Sequence, residues 1–181
     1  CDNNFLSAKK PDWKDKPDRV LLVTGAHPQK NLVFFLDCYI ELCRTSSIKT
    51  SVDIVGVCDH EVSDKYIRFK KFQFHGMVSQ KKLVDFYDNA RLLIMPSLYE
   101  SFGIPLIEAK YRGLWVLSSD GGASKEIALN YATFFNPKNK NDFLKKLRDI
   151  LFNKVKNPTK HYTHKYHQEN ISKLYWSHVY D

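Results

Sequence analysis

The stretch Pro96–Ala109, PSLYESFGIPLIEA, decides the fold prediction because an apolar run ends just before it and a helix begins within it. The preceding run, RLLIM from Arg91 to Met95, is short and mostly apolar, which is typical of a buried parallel strand. Gly103 lets the backbone approach a ligand closely, and Pro105 suits the first turn of a helix because its missing N–H would be unpaired there. The sequence therefore predicts a strand, a glycine loop and a helix in succession.

Two carboxylates flank the start of this predicted helix. Glu100 lies on the loop, and Glu108 lies about one turn into the helix. The free N–H groups and the positive dipole end of the helix face the region beyond the strand, where diphosphates bind in open α/β sheets. Two acids here could simply complement the helix dipole. Because they lie on different elements, they could also address different parts of one ligand.

Strand and helix patterns alternate along the rest of the chain. The predicted strands are Val20–Thr24, Val52–Val57, Lys71–His75, Arg91–Met95, Leu114–Leu117 and Ala132–Phe135. The predicted helices are Asn31–Arg44, Glu61–Phe69, Gln80–Asn89, Pro105–Arg112, Ser124–Leu129 and Asn141–Phe152. This alternation predicts an α/β fold with a Rossmann-like parallel sheet and helices on both faces.

Length and composition limit the classes of protein that the chain can represent. Its 181 residues can bury one good core, and no run approaches the ~20 apolar residues of a membrane span. The cysteines Cys1, Cys38, Cys43 and Cys58 have no Cys-x-x-Cys spacing, so we interpret them as free thiols of a reducing cytoplasm. His161, His164 and His167 lie three apart, but few acids accompany them, so we predict a polar helix start and no metal site.

The net charge of +8 is concentrated at the C-terminal end, where residues 138–181 hold ten Lys or Arg and four Asp or Glu. A solvated, lysine-rich helix face would explain it. Attraction to an anionic membrane surface is the functional alternative, which would place a cytoplasmic protein at the inner face of the membrane. The sequence has no recognition-helix or RNP-type motif, so we predict no nucleic-acid partner.

Several motifs in order resemble the C-terminal, donor-binding domain of the retaining GT-B glycosyltransferases often called group 1. Their characteristic motif has two glutamates separated by seven residues, as Glu100 and Glu108 are here, with Ser-Phe-Gly-Ile-Pro following the first. The loops that match the family's other motifs are Gly25–Asn31, Phe74–Ser79, Ser118–Glu126 and Phe135–Pro137. The resemblance runs from about Arg19 to Asn153 and is carried by order and spacing together.

The resemblance implies a site for a nucleoside-diphosphate sugar that needs no metal. Lys30 would supply a cation to the diphosphate, Gly103 and Ile104 would offer backbone N–H groups to it, and Glu108 would accept from the ribose hydroxyls. Glu100 would lie beside the donor sugar, so Glu100 and Lys30 are the candidate catalytic residues. The remaining donor-binding candidates are Gly25, Asn31, Met77, Val78, Ser101 and Phe102.

The resemblance also implies the domain organisation. Residues 1–18 are predicted to be a linker or domain crossover, residues 19–158 the nucleotide-sugar-binding domain, and residues 159–181 a helix returning to an N-terminal acceptor domain that this sequence lacks. The predicted activity is transfer of a sugar, of hexosyltransferase type, to a polysaccharide or lipid-linked acceptor, and the isolated domain is predicted to be inactive.

One residue departs from the family pattern and keeps two alternatives open. Many members have an arginine directly after the first loop glycine, where this chain has Ala26. The loss of that phosphate cation makes a non-catalytic nucleotide-sugar binding module one alternative. A GT-B nucleotide-sugar epimerase domain is the other, which the spacing of Glu100 and Glu108 disfavours.

Overall fold

A six-stranded parallel sheet forms the centre of the computed structural model, which describes residues 16–128 and 131–152. The strands are β1 (Arg19–Thr24), β2 (Ser51–Gly56), β3 (Phe72–Gly76), β4 (Leu92–Met95), β5 (Trp115–Ser119) and β6 (Ala132–Phe135). Their order is β3-β2-β1-β4-β5-β6, and each neighbouring pair is parallel. The predicted Rossmann-like sheet is confirmed.

Helices connect the strands. They are α1 (Leu32–Thr45), α2 (His60–Tyr66), α3 (Gln80–Asp88), α4 (Ile104–Arg112), α5 (Ser124–Ala128) and α6 (Lys140–Phe152). The sequence did not predict the short 3-10 helix at Pro28–Lys30. Pro28 favours this turn, which ends where Asn31 adopts a left-handed conformation (φ 54°) before α1 begins. Lys30 is thereby held at the end of a fixed turn.

The core has two layers because both faces of the sheet are covered. Val20 and Leu22 of β1 face the layer that includes α1 and α6, while Leu21 faces the layer that includes α3 and α4. Near-continuous apolar runs such as Leu92–Met95, buried at every position, follow from this two-sided burial. On α3, Val84 and Tyr87 are buried, whereas Leu83 and Phe86 are only partly buried.

The strand order reverses direction next to β1. The chain leaves β1 towards β2 and β3 and then returns to place β4 on the other side of β1. Val20 and Leu21 pair with Leu92 and Leu93 across this junction. Loops diverge from the carboxyl ends of the two strands, which creates the crevice where ligands bind in open α/β sheets.

The predicted terminal segments lie largely outside the described residues. These include most of residues 1–18, all of 159–181 and the histidines His161, His164 and His167. Lys16, the first described residue, is buried and donates to the Tyr87 carbonyl at 2.7 Å. Within the described part of the chain, no helix combines the length and the apolar character needed to cross a bilayer.

Candidate functional site

Lys30 and Glu100 form an ion pair at the carboxyl edge of the sheet. Lys30 Nζ lies 2.7 Å from Glu100 Oε1, although the two residues are 70 positions apart in sequence. The Lys30 side chain keeps 28% of its surface exposed, whereas the Glu100 side chain keeps only 9%. The structure therefore brings together the two candidate catalytic residues, with the cation the more accessible of the two.

The loops that follow β1 and β4 are bonded to each other beside this pair. Asn31 Nδ2 donates to the Pro96 carbonyl at 3.1 Å, and the Leu98 backbone N–H donates to the Gln29 carbonyl at 2.8 Å. These contacts join the turn that holds Lys30 to the loop that holds Glu100. The separation between the two charged groups is therefore fixed by backbone as well as by side chains.

The loop after β5 supports Glu100 from the other side. The Ala123 N–H donates to the Glu100 carbonyl at 2.8 Å. Gly122 has a φ of +67°, and a Cβ placed there would lie 2.1 Å from the Glu100 carbonyl oxygen. A Cβ at Gly121 would lie 2.2 Å from the Leu98 carbonyl oxygen. The two glycines are thus required for the close approach of these backbones.

Helix α4 begins directly after Glu100, at the same edge of the sheet. Gly103 precedes the helix with a φ of +57°, and a Cβ there would meet the Leu106 side chain at 2.9 Å. Pro105 occupies the first turn, as predicted from the sequence. An α-helix leaves its first N–H groups without intrahelical partners, so the turn at Gly103 and Ile104 offers positive electrostatic character to an anion.

Glu108 is buried between α3 and α4. It is 8% exposed, and Tyr87 donates a hydrogen bond to its Oε2 at 2.8 Å. Burial raises the pKa of Glu108 to about 7, and the hydrogen bond from Tyr87 partly opposes this shift because it favours the carboxylate. The carboxyl group therefore changes charge near neutral pH. Glu108 lies within α4 and accepts from Tyr87, whereas Glu100 lies on the preceding loop and pairs with Lys30, so the two acids have different surroundings.

The other predicted donor-binding residues lie on loops at the same edge. Gly25 directly follows β1, and Met77 and Val78 follow β3. Met77 is 79% exposed, whereas Val78 packs partly against the core. Ser101 is exposed and Phe102 partly buried on the loop between Glu100 and α4. Val57, Leu98 and Tyr99 add exposed apolar surface along this edge.

Sequence reasoning missed a second polar cluster, on the sheet itself. Asp53, 4% exposed in β2, accepts from Arg19 Nε at 2.7 Å, and His75 Nε2 lies 2.7 Å from its Oδ1. Arg19 also donates to Gln73 Oε1 at 2.6 Å. The available signal was an aspartate within the apolar strand VDIVGV. The Asp53 carboxylate thereby fixes the side chain of His75, which lies near the expected site.

Ser97 was also missed, because the sequence marks it only as the residue after the strand-ending proline. It is 2% exposed, and its Oγ donates to Glu100 Oε1 at 2.6 Å. Its carbonyl accepts a hydrogen bond from the Ser119 hydroxyl. Ser97 therefore connects the ends of β4 and β5 to the Glu100 carboxylate.

A parallel sheet with its polar site at the strand-order reversal defines a Rossmann-like α/β domain of the kind found in GT-B glycosyltransferases. Residues 4–169 match the family described as glycosyl transferases group 1, and the chain belongs to that family.

Comparisons with individual proteins agree with this assignment. The chain is 30% identical over 158 residues to the O-antigen chain mannosyltransferase RfbU of Salmonella typhimurium, covering 81% of this chain and 43% of that protein. Its fold resembles the lipopolysaccharide outer core galactosyltransferase WaaB in the apo form, with a TM-score of 0.69, 22% identity, and coverage of 93% of this chain and 51% of that one. It also resembles Anabaena Alr3699/HepE in complex with UDP, with a TM-score of 0.65, 14% identity, and coverage of 80% and 42%. The chain thus spans about half of the length of these proteins or less.

Proposed function

We propose that this chain is the nucleoside-diphosphate-sugar-binding domain of a retaining glycosyltransferase. The observation that carries the proposal is the pairing of Lys30 with Glu100 at 2.7 Å beside the N-terminus of α4. A cation, a helix N-terminus and a carboxylate at one edge provide complementary groups for a diphosphate and for sugar hydroxyls. The membership in the group 1 family supports the same activity.

Each part of the site has a role in this proposal. Lys30 and the first N–H groups of α4 bind the diphosphate. They stabilise the charge that develops on it as the bond between the sugar and the diphosphate breaks. Glu108 accepts from the ribose, and Glu100 accepts from the donor sugar. Met77 and Val78, with the apolar surface of Val57, lie where the loops after β2 and β3 could contact the base.

The donor sugar is proposed to be a hexose, with mannose the first candidate because RfbU is named as a mannosyltransferase. The acceptor is proposed to be a polysaccharide or a lipid-linked sugar bound by a second, N-terminal domain. The basic C-terminal end would then favour an anionic membrane surface. The 181-residue chain tested alone should bind donor without transferring sugar, because the acceptor is proposed to bind to a second domain.

Calorimetric titration of the 181-residue chain tests the proposal. The ligands are GDP, UDP, GDP-mannose, UDP-glucose and UDP-galactose, each with EDTA and with added magnesium. We expect one nucleoside diphosphate and its nucleotide sugar to bind with micromolar to millimolar dissociation constants. EDTA should not change these constants, because Lys30 and the N-terminus of α4 take the place of a bridging metal ion. Binding of none of the five ligands would contradict the proposed function, and binding that requires magnesium would contradict its metal independence.

A charge-removing variant locates the diphosphate. Lys30→Met should weaken binding of the nucleoside diphosphate and of the nucleotide sugar about tenfold or more, the loss expected for a charge-assisted hydrogen bond. The matched control is Lys82→Met, which removes an exposed lysine of α3 whose ion pair with Asp85 is 4.0 Å long. Equal effects of the two variants would show only a change in overall charge.

A further inference from the structure

The Glu100 carboxylate is held by one of its two oxygens. Lys30 Nζ donates to Oε1 at 2.7 Å, and Ser97 Oγ donates to the same oxygen at 2.6 Å. Within residues 16–128 and 131–152, both side-chain donors to this carboxylate bind Oε1 and none binds Oε2. A carboxylate has about four lone-pair sites, so with respect to the described residues the second oxygen can still accept from a ligand.

The two donors differ in how a ligand would affect them. Lys30 is partly exposed, and in the proposed function its ammonium group binds the diphosphate. Its ion pair with Glu100 therefore weakens when the donor binds. Ser97 is 2% exposed, and an incoming ligand cannot compete for its hydroxyl. Ser97 is therefore the donor that stays on Oε1 in the occupied site.

Ser97 is itself fixed from two sides. Its carbonyl accepts from the hydroxyl of Ser119, which is completely buried at the end of β5. The preceding carbonyl, that of Pro96, accepts from Asn31 Nδ2 at 3.1 Å. A hydroxyl anchored in this way can fix the rotation of the Glu100 carboxylate, because the donor position is set by backbone on both neighbouring strands.

We propose that Ser97 is a positioning residue that holds Glu100 by Oε1, so that Oε2 is the oxygen presented to the donor sugar. The inference rests on the proposed function and extends it from the two acids of the motif to a buried serine. Its consequence is that recognition of the sugar, and not of the nucleotide, depends on the Ser97 hydroxyl.

The experiment compares two affinities in each variant. The quantity is the ratio of the dissociation constant of the nucleoside diphosphate to that of the best-binding nucleotide sugar of the panel above, measured by calorimetry. We expect Ser97→Ala to lower this ratio about tenfold, as loss of a hydrogen bond to a charged group would. The affinity for the nucleoside diphosphate itself should change less than about threefold, which is within about 0.7 kcal/mol. Ser97→Thr, which keeps the hydroxyl, should have the same ratio as the parent chain.

Ser118→Ala is the matched control. Ser118 is also completely buried, at the end of β5, but its hydroxyl donates to the neighbouring Ser119 carbonyl at 3.0 Å. It should shift the melting temperature without changing the ratio. A folding defect in Ser97→Ala would be seen in the same melting curves, and Ser97→Cys, of nearly equal size and with a weak donor, then supplies the comparison.

The outcomes are distinguishable. If the parent chain binds nucleotide and Glu100→Gln lowers the ratio while Ser97→Ala and Ser97→Cys leave it unchanged, the positioning role is wrong and the proposed function stands. A parent chain that binds the sugar nucleotide no better than the nucleoside diphosphate overturns the inference as well. Failure of the parent to bind any nucleotide overturns the proposed function first.

Discussion

The phenol of Tyr87 donates to Glu108 Oε2 at 2.8 Å, and both side chains are buried between α3 and α4. The hydrogen bond occupies one lone pair of a carboxyl group whose pKa burial raises to about 7. The hydrogen bond from Tyr87 therefore orients the Glu108 carboxyl group, which changes charge near neutral pH.

This pKa makes a prediction about pH. Below about pH 7 Glu108 is mostly neutral in the free chain. The carboxylate is the better acceptor for two ribose hydroxyls, so nucleotide-sugar affinity should rise as pH increases from 6 to about 8, by at most tenfold per pH unit. Binding near pH 6.5 should release a proton, which calorimetry in two buffers of different ionisation enthalpy measures. A nucleotide sugar is the correct ligand, because a free nucleoside diphosphate titrates in this range too.

The control for this pH dependence is Glu108→Gln. Any slope that remains in this variant belongs to other groups, so only the difference between the two pH profiles reports Glu108. If the parent and Glu108→Gln gave the same pH profile, the linkage between Glu108 and binding would be wrong.

The two glutamates should differ in the ligand that they recognise. Glu108→Gln is expected to weaken the nucleoside diphosphate and the nucleotide sugar alike, by about 1.5–3 kcal/mol, because both ligands carry the ribose. Glu100→Gln should leave nucleoside diphosphate affinity within a factor of a few and remove the extra affinity that the sugar confers. Calorimetry with both ligands decides this, and unaltered nucleoside diphosphate binding by Glu108→Gln would refute the ribose assignment.

A buried ion pair between the C-terminal ends of α3 and α4 should control stability. Arg112 of α4 is completely buried, and its Nε donates to Asp88 Oδ1 at 2.7 Å. Asp88→Asn removes the negative charge that balances the guanidinium, so we expect unfolding free energy to fall by about 3–5 kcal/mol. Asp85 lies on α3, as Asp88 does, and its side chain is 55% exposed. Asp85→Asn should therefore lower the free energy of unfolding by less than about 1 kcal/mol. Urea denaturation of both variants measures the contrast, and equal small losses would contradict it.

The close approach of Gly122 to Glu100 can be tested separately. An alanine Cβ would lie 2.1 Å from the Glu100 carbonyl oxygen and would also require a residue with a φ of +67°. Gly122→Ala should therefore displace the Glu100 loop, lowering the melting temperature and sugar affinity together. Gly25→Ala, where a Cβ would meet no atom within 4 Å, is the control for stability. A Gly122→Ala chain as stable as the parent would show that the loop moves without cost.

The sequence predicted elements better than it predicted contacts. The order of strands and helices follows from local apolar periodicity, and Gly103 and Pro105 locate the start of α4 to within a residue. The contact of Lys30 with Glu100 depends on β1 and β4 becoming neighbours, which no local pattern encodes. The role of Ser97 depends on a side-chain rotation, and periodicity carries no information about it. The family motifs therefore identified the site residues but not the buried residues that contact them.

The junction between β1 and β4 has a consequence for cohesion of the domain. Only two residue pairs, Val20 with Leu92 and Leu21 with Leu93, are in register there, whereas β1 and β2 share six. Lys30 with Glu100, and Leu98 with Gln29, add cross-links just beyond the strand ends. A ligand held at once by Lys30 and α4 would act as one more cross-link between the two halves of the sheet. Occupancy of the site would then resist separation of the halves, so that an empty and a loaded domain differ in mechanical strength with almost the same backbone.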